Sequence, residues 1–157
     1  MTTCPKGAAL NRRAQRSASE VRTDAPLTKT QRDSFIDTLA QAARRCRQSF
    51  RVLPSILIAL AILDSDWGQS AVARTRHIYF SAFGKRVKFA NAADCFLARA
   101  RSLDKHTQFI AACERGKLRD AAAELVIAGE LTDDSYRRLL DAISKNDLAR
   151  FDKEKAA

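Results

Sequence analysis

Two carboxylates follow the most apolar segment of the chain. Asp64 and Asp66 come directly after residues 56–63, which read Ile-Leu-Ile-Ala-Leu-Ala-Ile-Leu. A carboxyl group flanked by apolar side chains can hold a proton near neutrality, which is the property that a general acid needs. At helical spacing Asp64 would share a stripe with Leu57 and Leu60. We therefore interpret Asp64 as a candidate general acid, and the alternative is that both aspartates only mark the polar end of a buried helix.

The histidines and cysteines do not form a recognisable catalytic or metal-binding pattern. His77 and His106 lack a nucleophile or a metal-binding partner at a meaningful spacing, so neither is assigned a role. We expect no metal and no cofactor. Cys4 lies in a polar segment and is expected to be the reactive thiol, whereas the other three lie among apolar residues and are expected to be buried and reduced. The four cysteines are Cys4, Cys46, Cys95 and Cys113.

Composition favours one small helical domain with a strong positive charge. The 157 residues include only 5 Gly and 3 Pro, and 46% of them are hydrophobic, so the chain predicts mostly helix around one core. The formal charge of +10 implies attraction to a polyanion. Nucleic acid, an anionic membrane surface and bacterial cell wall all have that property, and a surplus of solvated Lys and Arg is an equally simple explanation.

A central helix over residues 54–66 must position the candidate acid. Pro54 suits the first turn of a helix, and the apolar run that follows has no polar break. A helix that is apolar on all sides must be buried on all sides, so we predict that this element lies at the centre of the fold. A buried parallel strand is the other interpretation of such a run, but the sequence contains no second strand of this type to pair with it.

Other helices are predicted on both sides of this element. Thr30 and Asp33 have the spacing of a capping box and predict the start of the first helix. Gly129 is expected to end one helix and Thr132 to cap the last. Residues 1–30 form a basic arm that we expect to be disordered, residues 31–152 the domain and residues 153–157 a tail. Further helices are predicted near residues 70–74, 92–102, 105–114 and 118–128.

Residues 53–70 resemble the signature of a known enzyme family. They begin with Leu-Pro-Ser, continue through the apolar run and end in Asp-Ser-Asp-Trp-Gly-Gln-Ser. This is similar to glycoside hydrolase family 73, the endo-β-N-acetylglucosaminidase domain of many autolysins, flagellar wall hydrolases and phage lysins. That family's pattern has Pro-Ser, a buried helix, Glu-Ser, one residue, Trp-Gly and a nearby Ser.

Three later segments match the same family in the same order. Residues 81–85, Ser-Ala-Phe-Gly-Lys, resemble its Asn-Leu-Phe-Gly-Ile-Lys loop, and residues 128–136 resemble its Ala-Gly-Tyr-Ala-Thr-Asp-Pro-x-Tyr turn. Residues 148–152 are similar to its closing Leu-x-x-Tyr-Asp. The resemblance covers about residues 31–152 and implies an all-α, lysozyme-like domain with a groove for a glycan strand. The β-lobe that usually follows the Phe-Gly loop is much reduced.

The resemblance also implies site residues, with two departures from the family pattern. Asp64 stands where the family has the catalytic Glu, and Glu130 stands where it has Tyr beside that acid. Glu130 could therefore share the cleft with Asp64 and raise the pKa of one of the two carboxyls by repulsion, or it could be a loop residue that points into water. The implied catalytic residues are Asp64 and Glu130, and the implied substrate-binding residues are Trp67, Phe83, Gly84 and Tyr136. The alternative for Trp67 and Tyr136 is that both are packing residues of the core.

Three functions remain open at this point. The resemblance implies a peptidoglycan hydrolase that cleaves the β-1,4 bond after N-acetylglucosamine, acting on glycan strands as a monomer. One alternative is a catalytically impaired descendant that binds cell-wall glycan. The other is a basic helical protein that binds nucleic acid, although this chain lacks aromatic residues interleaved with its basic ones. No signal peptide or transmembrane segment is recognisable. We expect synthesis in the cytoplasm and export to the wall by a non-classical or phage route.

Overall fold

The computed structural model describes residues 26–84 and 86–153. Within these residues there are seven α-helices and two short 3₁₀ turns, and no β-strand, which confirms the all-helical prediction and the reduced β-lobe. Most of the predicted basic arm and of the predicted tail lies outside this part of the chain. The elements are α1 (Lys29–Phe50), α2 (Pro54–Ser65), α3 (Ala71–Arg76), a turn (Ser81–Phe83), α4 (Ala92–Leu103), α5 (Thr107–Glu114), α6 (Leu118–Ile127), α7 (Asp133–Lys145) and a turn (Leu148–Asp152).

Helix α2 is the centre of the core, as predicted. Every residue from Pro54 to Ile62 is buried, and Pro54 occupies the first turn after an extended Leu53. Helices α1 and α7 and the C-terminal turn all pack against α2. The helix is enclosed because it has no polar face that could stabilise contact with water. Its direction therefore fixes where Asp64, in its last turn, can lie.

The C-terminal turn is tied to the start of α2 through Asp152. Its carboxylate accepts hydrogen bonds from the Ser55 backbone N–H at 2.9 Å and from the Ser55 hydroxyl at 2.5 Å. Arg47 on α1 donates to the carbonyl oxygen of Asp152. Burial raises the pKa of Asp152, and the hydrogen bonds from Ser55 and the charge of Arg47 act in the opposite direction. Asp152 thus supplies the N-terminal cap that Leu53 cannot provide.

Asp152→Ala is expected to lower the free energy of unfolding by about 1–3 kcal/mol, because it leaves the N–H and the hydroxyl of Ser55 without their acceptor. Urea denaturation of the two proteins measures the difference. The control is Asp141→Ala, which removes an exposed carboxylate 2.9 Å from Lys145 and should cost at most about 0.5 kcal/mol. Equal losses in the two variants would show that Asp152 has no capping role.

The first helix begins two residues earlier than the sequence predicts. Thr28, rather than Thr30, is the N-cap: its hydroxyl accepts from the Gln31 N–H at 3.2 Å, and the Gln31 side chain accepts from the Thr28 N–H at 2.9 Å. The prediction was wrong because Thr28 and Gln31 have the same spacing as Thr30 and Asp33, and only the backbone decides between them. Asp33 instead forms an ion pair with Lys29. Residues 29 and 30 therefore belong to the helix and not to the arm.

The three cysteines within the described residues are buried free thiols, as predicted. Burial raises the pKa of Cys46 to about 12 and those of Cys95 and Cys113 to about 11. The thiolate is the reactive form of cysteine, so these three groups should be inert at neutral pH. Cys4, which we predict to be reactive, lies outside the described residues.

An aromatic disulfide reagent should therefore label about one thiol in the native protein and all four in denaturant, because a buried thiol must be exposed before it reacts. Counting the released chromophore under both conditions measures this. Cys4→Ser should remove the fast reaction and leave the slow one. Rapid labelling of Cys4→Ser at neutral pH would mean that the core opens readily.

Candidate functional site

Asp64 lies in the last turn of α2, where the helix emerges from the core. Its Oδ2 atom accepts hydrogen bonds from the backbone N–H and the hydroxyl of Ser81, each at 3.1 Å. The apolar surroundings predicted for this carboxyl are present on one side only, where Leu60 and Leu63 lie near it. The side chain itself is exposed. The run of apolar residues is buried against the rest of the core, and the last helical turn carries Asp64 out of it.

A tight backbone reversal ends α2 directly after Ser65. Asp66, Trp67 and Gly68 have φ values of 50°, 57° and 77°, all in the left-handed region. A Cβ atom on Gly68 would lie 2.5 Å from Cε2 of Phe35, so a larger residue there would collide with α1 as well as strain the backbone. The Ser65 hydroxyl accepts from the Gly68 N–H at 2.9 Å. These contacts explain why the sequence has Ser, one residue, Trp and Gly at this point.

The turn between α6 and α7 positions Glu130. Gly129 has φ 79° and directly follows Ala128, the C-cap of α6, as predicted. The Gly129 N–H donates to the Val126 carbonyl at 3.0 Å, and the Glu130 N–H donates to the Leu125 carbonyl at 2.9 Å. This is the hydrogen-bond pattern of a Schellman motif. Thr132 then caps α7, which confirms that prediction, so Glu130 lies between two well-defined helix ends.

Glu130 is held by two basic side chains from other elements. Arg99 Nη2 lies 3.0 Å from Glu130 Oε2, and His106 Nε2 lies 3.0 Å from Oε1. The Arg99 side chain is 7% exposed and that of Glu130 is 20% exposed. Burial alone would raise the pKa of Glu130, but the hydrogen bonds from His106 and Arg99 and their charges outweigh it and lower that pKa. Glu130 is therefore ionised at neutral pH and does not point freely into water.

Asp64 and Glu130 line the same cavity, which has a volume of about 280 Å³. The contacts of Glu130 with Arg99 and His106 lower the pKa of its carboxyl, so Glu130 fits the member of the pair that the two-carboxyl hypothesis leaves ionised. The wall of the cavity is apolar along Leu60, Leu63, Ala82 and Leu131 and polar elsewhere. The other lining residues are Ser81, Arg99, Gly129, Ser135 and Arg138.

The predicted substrate-binding residues do not line this cavity. Trp67 is half-buried, with its ring 6.2 Å from that of Phe35 and the Arg32 guanidinium 6.0 Å from its ring centroid. It borders a separate groove beside the start of α1 and the end of α7. Tyr136 is half-buried and packs against the core. The interpretation of Trp67 as a packing residue therefore fits better than sugar stacking beside Asp64.

The aromatic loop supports the cavity without contributing its aromatic rings. Phe83 packs edge-on against Phe89, with 5.1 Å between ring centroids, and it packs similarly against Phe80. Gly84 is exposed and has φ 66°. The residues of this loop that reach the cavity are Ser81 and Ala82. Phe83 and Gly84 thus shape the turn that presents them.

Sequence reasoning missed Arg99, His106, Ser81 and Arg138. Arg99 lies on the buried stripe of α4, together with Cys95, Phe96 and Leu103. A charged residue on an otherwise apolar helical stripe is a signal that could have been used, because a buried guanidinium needs a buried anion. His106 gives no such signal, since its partner Glu130 lies 24 residues away.

No group of three or more His, Cys, Asp or Glu side chains that could hold a metal ion occurs within residues 26–84 and 86–153. The helices in that same part of the chain include none that is both long and apolar enough to cross a bilayer.

Comparison with known proteins identifies relatives that are named as a glucosaminidase and as a probable N-acetylmuramidase. Exo-glucosaminidase LytG of Bacillus subtilis is 30% identical in an alignment of 152 positions, which covers 75% of this chain and 52% of LytG. A probable N-acetylmuramidase of Lactococcus lactis is 38% identical over 52 residues, covering 33% of this chain and 11% of that protein. The chain therefore spans only about half the length of LytG and a small part of the Lactococcus protein.

The fold matches a solved structure along most of its length. The catalytic domain of the autolysin Auto from Listeria monocytogenes superposes with a TM-score of 0.65 at 17% identity, covering 87% of this chain and 96% of that domain. This likeness confirms the predicted lysozyme-like helical fold. The family model described as mannosyl-glycoprotein endo-beta-N-acetylglucosaminidase matches residues 40–148, which is well over half of the sequence. The chain therefore belongs to this glucosaminidase family, glycoside hydrolase family 73.

Proposed function

We propose that this domain is a peptidoglycan hydrolase, an endo-β-N-acetylglucosaminidase that cleaves the β-1,4 bond after N-acetylglucosamine. The observation that carries the proposal is the position of Asp64 and Glu130 on one cavity in a domain of this family. Most glycosidases place two carboxyl groups on either side of the bond that they cleave. Asp64 and Glu130 are the pair that we propose for this role, in place of the family's usual Glu and Tyr.

Asp64 is the proposed general acid. Its protonated carboxyl donates to the glycosidic oxygen as the C–O bond breaks, so the leaving sugar departs as an alcohol. A water molecule then adds to the anomeric carbon, and its proton restores the acid. Ser81, which donates two hydrogen bonds to Oδ2, orients the carboxyl. Those bonds hold one oxygen and leave Oδ1 as the oxygen that can carry the proton to the substrate.

Glu130 is the proposed charge-stabilising partner. Cleavage places positive charge on the ring oxygen and anomeric carbon of the sugar that loses its substituent. A carboxylate that stays ionised beside that centre lowers the energy of the transition state. Arg99 and His106 fix its position in advance, so little reorganisation is needed when the charge develops.

The lining of the cavity suits an acetamido sugar. A volume of about 280 Å³ is near the lower end of the range for ligand pockets, roughly 300–1,000 Å³. We therefore expect it to hold one sugar ring, with the rest of the strand outside. The apolar side formed by Leu60, Leu63 and Leu131 can receive the methyl of an N-acetyl group, while the hydroxyls face the polar side.

Incubation of the purified protein with bacterial sacculi tests this function. Released reducing ends are converted to alditols with borohydride and identified after acid hydrolysis. Glucosaminitol is expected, and muramitol would mean that the bond on the other side of the repeat is cut. Long fragments at early times indicate cleavage within the strand, whereas release of single sugars would overturn the endo assignment. No new reducing ends at any enzyme concentration would overturn hydrolysis itself.

A glycan-binding protein without activity is the second candidate. The observation in its favour is that Asp64 has a shorter side chain than Glu and is exposed and engaged by Ser81. A displacement of about 1 Å can cost about a hundredfold in rate. Co-sedimentation with sacculi that releases no reducing ends would support this candidate over the enzyme.

We further propose that the domain acts as a monomer on the cell wall after synthesis in the cytoplasm. The proposed substrate lies outside the membrane, and the cavity is lined by residues of this single chain. Light scattering coupled to size-exclusion chromatography should give the mass of one 17.4 kDa chain. A mass that doubles over the working concentration range would contradict the monomer.

A further inference from the structure

Arg138 is a cation of the cavity wall that the proposed reaction does not use. It lies on α7, its side chain is exposed, and it lines the cavity that Asp64 and Glu130 share. Arg99, the other arginine of this wall, is occupied by Glu130 and by the Ser102 hydroxyl. Arg138, in contrast, has no ion-pair or hydrogen-bond partner within the part of the chain that the structure describes.

Both carboxylates of the cavity already have donors of their own. Ser81 donates to Asp64, and Arg99 and His106 contact Glu130. The charge of Arg138 is therefore left for a group that is not part of the protein. A guanidinium binds carboxylates in a planar geometry with two parallel hydrogen bonds, which is stronger and more selective than contact with a neutral hydroxyl.

Ser135 adds a hydroxyl on the same face of α7. It lies one helical turn before Arg138 and lines the same cavity. Thr132 Oγ1 donates to Ser135 Oγ at 2.9 Å and accepts from the Ser135 N–H at 3.1 Å. The Ser135 oxygen thus serves as an acceptor towards Thr132, which leaves its own proton available to a ligand. A hydroxyl donor beside an unpaired guanidinium is a chemically suitable pair for a carboxylate.

We propose that Arg138 and Ser135 form a subsite for a carboxylate on the substrate, so that the domain prefers carboxylate-bearing glycan to uncharged N-acetylglucosamine polymer. The inference rests on the proposed function and specifies its substrate. Two parts of peptidoglycan can supply the group: the lactyl ether of a muramic acid without a peptide, or a stem peptide. The subsite recognises the shared carboxylate chemistry.

The test compares three ligands by titration calorimetry in an Asp64→Asn background, which prevents turnover. The ligands are soluble glycan strands with stem peptides, the same strands after amidase treatment, and uncharged N-acetylglucosamine oligomers. Arg138→Ala should weaken binding to carboxylate-bearing strands by about tenfold and leave the uncharged oligomers within about twofold. Arg137→Ala is the matched control, because Arg137 is the adjacent exposed arginine and does not line the cavity.

The pattern across the ligands identifies the source of the carboxylate. Sensitivity to Arg138→Ala that appears only after amidase treatment assigns the lactyl carboxylate, which the amidase sets free. Sensitivity that is lost on treatment assigns the stem peptide, and sensitivity of both strands means that either carboxylate fills the subsite. Equal effects of the two arginine variants, or an equal effect on the uncharged oligomers, would overturn the subsite. With Asp64 restored, Arg138→Ala should raise KM and leave kcat within about twofold. The calorimetric test does not depend on turnover. An inactive wild-type protein would therefore contradict the proposed hydrolase activity, while the binding data would still test the carboxylate subsite.

Discussion

Asp64→Asn is expected to abolish the release of reducing ends from sacculi, with a loss of at least about a hundredfold in kcat, the lower end of a general acid's contribution. The amide keeps the shape of the side chain and can still accept the hydrogen bonds from Ser81, but it cannot deliver a proton. Binding to sacculi should be retained because the cavity wall is otherwise intact. Initial rates at saturating substrate, together with co-sedimentation, measure both properties.

Asp66→Asn is the matched control for this loss. Asp66 lies two residues further on, is exposed, and does not line the cavity. Its φ of 50° is a conformation that Asn adopts readily, so the fold should be unaffected. We expect the wild-type rate within about twofold. If Asp64→Asn retained that rate, Asp64 would not be the acid.

Glu130→Gln is expected to lower the rate by at least about tenfold and the free energy of unfolding by about 1–3 kcal/mol. The rate falls because the developing positive charge loses its carboxylate. Stability falls because the side chain of Arg99, which is only 7% exposed, would face a neutral amide. Glu114→Gln is the control, since Glu114 forms its ion pair with Arg51 at the surface and should contribute at most about 0.5 kcal/mol.

The pH dependence of this stability difference has a definite sign. The pKa of Glu130 lies below its ordinary value of 4.5 in the folded protein, so the unfolded chain binds the proton more tightly. The contribution of the ionised carboxylate is therefore fully present above about pH 4.5 and is lost as the pH falls through the lowered folded pKa. Urea titrations should show the gap between wild type and Glu130→Gln narrowing only in acid. A gap that widened there would contradict the ion pair.

The sequence was a good guide to the helices because their signals are local. A run of eight apolar residues must be buried in the core. Gly129 and Thr132 form hydrogen bonds with backbone groups only a few residues away. The start of α1 was misplaced for a related reason. Two overlapping capping patterns occur there, and nothing in the sequence shows which of the two the backbone adopts.

The site was predictable only as far as family resemblance reached. The resemblance placed Asp64 and Glu130 at the same cavity, but it did not predict that Asp64 is exposed or that Arg99 and His106 hold Glu130. The reason is that Arg99 and His106 reach Glu130 across 31 and 24 residues of sequence, and such pairings depend on how helices pack. Trp67 was placed near the substrate by its motif. The left-handed backbone after Asp64 turns it towards α1 instead.

The burial of α2 on all sides has a consequence for how this cavity can evolve. A helix enclosed by the core and tied at its start to Asp152 cannot slide towards the substrate to make up for the shorter side chain of Asp64. Adaptation would have to come from the adjoining loop, where Ser81 and Ala82 are exposed. In selection for faster wall cleavage, we therefore expect substitutions to accumulate at residues 81–84 while residues 54–63 remain unchanged.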